Sequence, residues 1–99
     1  MNEQELEAEL VAKGKTAVRL TPDLIDATIR TEAHWVVPGT TTTVYALTLR
    51  NGFTVIGHSA CASPANFDPV IGCRLARERA RAQIWELEGY LLCERLATT

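Results

Sequence analysis

Ninety-nine residues, 46% of them hydrophobic and 22% charged, make one globular domain with a single core and no room for a second. Twelve acidic against ten basic residues leave a formal charge of -2, without the basic excess that duplex binding depends on, so no duplex nucleic acid is expected as a partner. No signal-like segment or membrane-length apolar run occurs, and Cys61, Cys73 and Cys93 are odd in number, which predicts a cytoplasmic chain with free thiols and no membrane partner.

In chain order, residues 2–13 carry Leu6, Leu10 and Val11 at helical spacing with Gly14 as a stop, and they predict a short amphipathic helix or arm over residues 1–16. Thr21 is a good N-cap and Pro22 a good first helical residue, because an amide at that position would be unpaired anyway. Leu24, Ile25, Thr28 and Ile29 extend this second helix to Arg30 or Thr31. Ala33 to Pro38 is apolar and reads as a short strand stopped by Pro38-Gly39. A hairpin follows, Thr42 to Arg50 and Phe53 to Ser59, around Asn51-Gly52, the pair preferred in two-residue type I′ turns. Such a turn sets Leu49 opposite Thr54, Leu47 opposite Ile56 and Tyr45 opposite His58, and leaves both faces apolar enough to need cover.

Asp68-Pro69 repeats the cap and opens a helix running to about Leu96, with Gly89 its one weak point. At about 100° per residue, Gly72, Cys73, Ala76, Ala80, Ile84, Leu87 and Leu91 form a core face. Trp85, Leu92 and Leu96 form a second stripe opposite it, which predicts a homo-oligomer interface. A helix of about 28 residues is ~42 Å long, more than a compact domain of this size spans, and this supports the same expectation. The predicted fold class is α+β: a small antiparallel β-hairpin sheet packed on a long C-terminal helix, with short N-terminal helices, in a single domain over residues 1–99.

All five basic residues of the long helix are arginine, the side chain suited to bidentate contacts with phosphate or carboxylate. Asn66 and Phe67 at the helix entrance, with Arg74, Arg77 and Arg81 at i, i+3 and i+7, have the chemistry of a nucleotide site: a base-edge donor, a stacking ring and phosphate partners. The plainer reading makes Asn66 a turn residue, Phe67 a hydrophobic staple and Glu78 the partner of Arg74 and Arg81. His34, His58 and Cys61 lack the second spaced pair of a zinc site, so no metal is expected. His58, Ser59 and Cys61 lack a nucleophile elbow, and Asp23, Asp26, Glu86 and Glu88 read as first-turn or solvated charges, so no catalytic residue is expected.

Pro38-Gly39-Thr40-Thr41-Thr42-Thr43, Leu49-Arg50-Asn51-Gly52-Phe53, Asn66-Phe67-Asp68, Ile71-Gly72 and Trp85 with Leu87-Glu88-Gly89-Tyr90, in that order, resemble the small tailed-phage protein family named after gene products forty-nine and sixty-six of two podoviruses. The likeness spans roughly residues 17 to 96, so residues 17–99 are the family-like core and residues 1–16 an addition. It implies a phage accessory protein in the host cell cytoplasm. The layout is also similar to small phage counter-defence proteins that act as sponges for cyclic nucleotide immune signals. That resemblance implies a non-catalytic homo-oligomer, without cofactor, that sequesters a cyclic ADP-ribose isomer or cyclic oligonucleotide. Phe53, Asn66, Phe67, Arg74, Arg77 and Arg81 are the candidate contacts by their chemistry. The alternative is an accessory protein that binds a host or phage protein through its long helix, with no small ligand.

Overall fold

The computed structural model describes residues 2–15 and 17–98; the predicted boundary at residue 16 lies outside the described residues. Helix α1 (Glu3–Ala12) starts on a reciprocal cap in which Asn2 Oδ1 accepts the Glu5 amide (2.8 Å) and the Glu5 carboxylate accepts the Asn2 amide (3.3 Å). It ends at Gly14, whose φ of +70° lets the amides of Gly14 and Lys15 turn back onto the carbonyls of Val11 and Leu10. Helix α2 (Pro22–Ala27) is capped by Thr21 Oγ1 on the Leu24 amide (3.2 Å). It stops short of the predicted Arg30 or Thr31, because the Thr28 carbonyl accepts the Arg50 amide (2.9 Å) and Ile29 is already in the sheet.

Strands β1 (Ile29–Val36), β2 (Thr42–Leu49) and β3 (Thr54–Ala60) form a three-stranded antiparallel sheet in the order β1-β2-β3. The β2-β3 turn differs from the predicted one. Leu49 O accepts the Gly52 amide (2.9 Å), and the Leu49 amide donates to Phe53 O (2.8 Å), so the loop has three residues, Arg50, Asn51 and Gly52. Gly52 (φ +91°) has a positive φ and Asn51 does not, as in a type I turn closed by a glycine bulge. The register therefore moves by one, pairing Leu47 with Val55 and Tyr45 with Gly57. A one-residue slip exchanges faces. Val55, Gly57 and Ser59 point to the core, while Ile56 and His58 point away.

Helix α3 (Pro69–Ala97) lies over β2 and β3. Ile25, Tyr45, Leu47, Leu49, Val55, Ala76, Ala80 and Ile84 form the core, with α2 on the same side of the sheet as α3. Contact is backbone-close at Gly57, where a Cβ would stand 2.2 Å from Ala76 O and 2.3 Å from Ala80 N. The first half of the predicted helix face is packed. Leu87 and Leu91 are a correction, at 36% and 42% exposed, because α3 outruns the sheet. The chain measures 51 × 31 × 18 Å with a radius of gyration of 16.4 Å, against about 13 Å for a compact chain of this length. The sheet's other face, with Trp35, Val44, Ala46 and Ile56, has no described element over it, so the expectation that both faces are covered fails within one chain.

Candidate functional site

The entrance to α3 is built by a short 3-10 turn, Pro64–Asn66, followed by Asp68, whose Oδ1 accepts the amides of Val70 (2.8 Å) and Ile71 (3.2 Å). Phe67 precedes the cap and lays its ring toward Gly72, with Cε1 3.5 Å from where a Gly72 Cβ would be, the geometry of a staple on glycine. Asn66, Phe67, Ile71 and Leu75 face Thr41, Ser59 and Cys61 across a cavity of about 190 Å³. Below it, Ser59 Oγ donates to Gly72 O (2.6 Å), and Thr43 Oγ1 is buried with no hydrogen-bond partner among the described residues. Arg74, three residues after Ile71 and so beside it on the helix surface, is exposed.

The other arginines point elsewhere. Arg77 reaches across to β1, donating from Nε (2.8 Å) and Nη2 (3.2 Å) to the two oxygens of Glu32, to which the Tyr45 hydroxyl also donates. The Arg77 hydrogen bonds, then the Tyr45 one, hold the Glu32 carboxyl below the usual carboxylate range. Burial, then Glu32, pushes the Tyr45 phenol up. His34 stacks on Tyr45 with ring centroids 5.2 Å apart. Arg81 donates to Asp26 Oδ1 (2.8 Å), to the Glu3 carboxylate and to Pro22 O (3.3 Å), and so bolts α1 and α2 to α3. Its burial works against the charge, but the bonds to Asp26 and Glu3 outweigh it and raise its pKa. Glu78, the partner expected from sequence, does not supply that bond.

The six predicted contacts thus fall in separate places. Asn66 and Phe67 share one cavity, whose lining includes Asp68 and not Arg74, which is exposed on α3. Arg77 and Arg81 are held by internal carboxylates. Phe53 lies at the hairpin tip, 54% exposed, where it, Leu49, Leu87, Tyr90 and Leu91 surround a second cavity of about 310 Å³ rimmed by Glu86 and Glu88. Along α3 this is roughly 22 Å from the first, at about 1.5 Å per residue. Of the predicted interface stripe, Trp85 is half-buried against the core and shares a small pocket with Leu6, Leu10, Leu20 and Pro22; Leu92 is half-buried and Leu96 exposed. A concavity of about 770 Å³ between α1 and α2 has Glu3, Glu7, Asp23 and Asp26 in its lining, against one cation, Arg81, among the described residues, which disfavours an anionic ligand there.

The Glu32-His34-Tyr45 group was not foreseen. Its signal was present as Glu32 and His34 two apart in an otherwise apolar stretch, which puts both on one face of a strand. Among the described residues Cys61, Cys73 and Cys93 are free, no three His, Cys, Asp or Glu side chains gather as a metal site, and no helix is long and apolar enough to cross a membrane.

A family model described as "Phage protein (N4 Gp49/phage Sf6 gene 66) family" matches residues 20–96. No curated protein and no solved structure matches the chain.

Proposed function

The chain belongs to this phage protein family, and on that premise we propose that it is a non-catalytic counter-defence protein that binds and sequesters a cyclic nucleotide signal in the host cytoplasm. One observation carries the reading, the cavity at the α3 entrance. Asn66 offers an amide to a base edge, Phe67 a ring for stacking, and Arg74 an exposed guanidinium for phosphate. At about 190 Å³ the cavity is smaller than the roughly 300–1,000 Å³ of ordinary ligand sites, so it suits a base or ribose with the phosphates outside it, and the exposed Arg74, three residues after the cavity-lining Ile71, is the arginine proposed to take them. Arg77 joins only by exchanging Glu32 for phosphate. Phe53 and Arg81 leave the contact set.

The second reading is a protein-binding accessory without a small ligand. The exposed Phe53, Leu87, Tyr90 and Leu91 around an acid-rimmed cavity favour it, since they suit an apolar and basic partner. Titration calorimetry with cyclic ADP-ribose isomers and cyclic di- and trinucleotides separates the two. Sequestration predicts binding of one of these, weakened by Asn66→Ala and by Arg74→Ala, the latter about 10- to 100-fold for loss of a charge-assisted bond. It also predicts that heating the loaded protein releases the molecule intact. No heat from any of them at high micromolar protein selects the protein-binding reading.

A further inference from the structure

The two edges of the sheet are treated differently. On β3, Arg79 Nη1 donates to the His58 carbonyl (2.8 Å) and Gln83 Nε2 to the Ile56 carbonyl (2.6 Å), so α3 side chains occupy that strand's outward acceptors. Among the described residues none gives β1 such cover: α3 lies over β2 and β3, and every β1 residue from Arg30 to Val36 is exposed. The Val37 amide donates to Thr42 O (2.9 Å), which sets Thr31, Ala33 and Trp35 as the residues bonded to β2. The outward amides and carbonyls therefore belong to Glu32, His34 and Val36, while Arg30 sits at the bulge where the register with β2 shifts between Ile29 and Thr31.

We propose that this edge pairs antiparallel with β1 of a second copy of the chain, about a two-fold axis at Ala33, joining the two three-stranded sheets into one of six strands. Open edge groups are a template for added strands, and this edge is self-complementary in the register centred on Ala33, clear of the bulge between Ile29 and Thr31. With Ala33 opposite its own copy, Glu32 faces His34 in both directions, and outward-bonding residues meet outward-bonding residues. No like charges oppose each other. Moving the axis to Glu32 sets that carboxylate against itself, and moving it to His34 carries the ladder out to Pro38, which has no amide to give. The pairing goes beyond the ligand reading and does not depend on it.

The test combines solution mass with register-specific cross-linking. Light scattering of the wild-type protein at high micromolar concentration should give twice the chain mass. His34→Pro removes an outward amide, a change edge strands tolerate, and should return the mass to monomer with circular dichroism unchanged. In a Cys93→Ser background, Ala33→Cys should form a covalent dimer on mild oxidation, since directly opposed residues of a non-hydrogen-bonded pair lie about 4.5 Å apart between Cα atoms, within disulfide range. Thr31→Cys, displaced from its copy by roughly 13 Å along the strand, should not. A monomeric wild type overturns the proposal. So does a folded His34→Pro variant that stays dimeric, or Thr31→Cys cross-linking as well as Ala33→Cys.

Discussion

The two halves of α3 share one helix and one hydrophobic repeat but meet different surroundings. Residues 69–84 place Ala76, Ala80 and Ile84 fully buried on the sheet, whereas beyond Trp85 the same repeat leaves Leu87, Tyr90 and Leu91 between 36% and 69% exposed. Lengths explain the difference. Twenty-nine helical residues span ~43 Å, and eight-residue strands only ~27 Å, so the helix leaves the sheet at the hairpin tip. Periodicity assigns a face to a residue; burial also requires something opposite it.

The sharpest way to break the packed half is Gly57→Ala. Its Cβ would meet helix backbone at Ala76 and Ala80, which no rotamer change relieves, so the whole helix must lift. About 3 kcal/mol or more should be lost, read as a large fall in the urea midpoint or as failure to fold. A small effect would show that α3 is not seated as described.

At the border between the halves, Arg81→Ala removes the link from α3 to α1 and α2. The side chain is 15% exposed, whereas Glu3 and Asp26 are 39% and 54% exposed and can be rehydrated, so the cost should be about 1–2 kcal/mol. Hydrogen exchange should rise in residues 3–12 more than in β2. Protection unchanged in α1 would mean that Leu6 and Leu10 against Trp85 hold it alone.

The hairpin shows how much of this was legible in the sequence and why the rest was not. Asn51-Gly52 correctly marks a turn, the alternation on either side correctly marks two strands, and Asp68-Pro69 marks the start of α3 to the residue. Loop length is not encoded by those two residues alone. The three-residue loop is favoured here because it turns Val55 and Gly57 toward the helix, where Gly57 is needed, and that is a tertiary requirement. The candidate site was legible in residue types and not in partners: Asn66 and Phe67 are sequence neighbours and stay together, while Glu32 and Glu3 claim Arg77 and Arg81 from far along the chain. Gly52→Val, at φ +91°, should cost about 1–2 kcal/mol through backbone strain. Asn51→Ala should cost only about 0.5 kcal/mol, the loss of its exposed bond to the Phe53 amide (3.0 Å). Equal costs in urea unfolding would restore the two-residue turn.

Acid tests the packed side of β1. The Glu32 carboxyl lies below its ordinary value of 4.5 in the folded chain, so its contribution is present above that value and is lost as pH falls through the folded one. With its side chain about one-third exposed and solvent-screened, the loss should be under about 1 kcal/mol. Glu32→Gln should flatten stability between about pH 5 and pH 3 relative to wild type, measured by urea midpoints across that range. An unaltered slope would assign the acid sensitivity to other carboxylates.

The smallest effect belongs to the projecting half. Leu91 is 42% exposed and lines the hairpin-tip cavity with Phe53 and Leu87, so within one chain it already contacts water, and Leu91→Ser should lower the unfolding free energy measured in urea by no more than about 0.5 kcal/mol. The same substitution in Ile84, fully buried, would leave a cavity and an unpaired hydroxyl in the core and should cost several times as much. The pair lies seven residues apart on one helical face, which holds helix propensity and repeat constant and varies only what lies opposite. A Leu91→Ser loss approaching that of Ile84→Ser, shrinking on dilution of the protein, would mean that a second molecule covers this end of α3, and would place an interface on the helix in addition to the β1 edge.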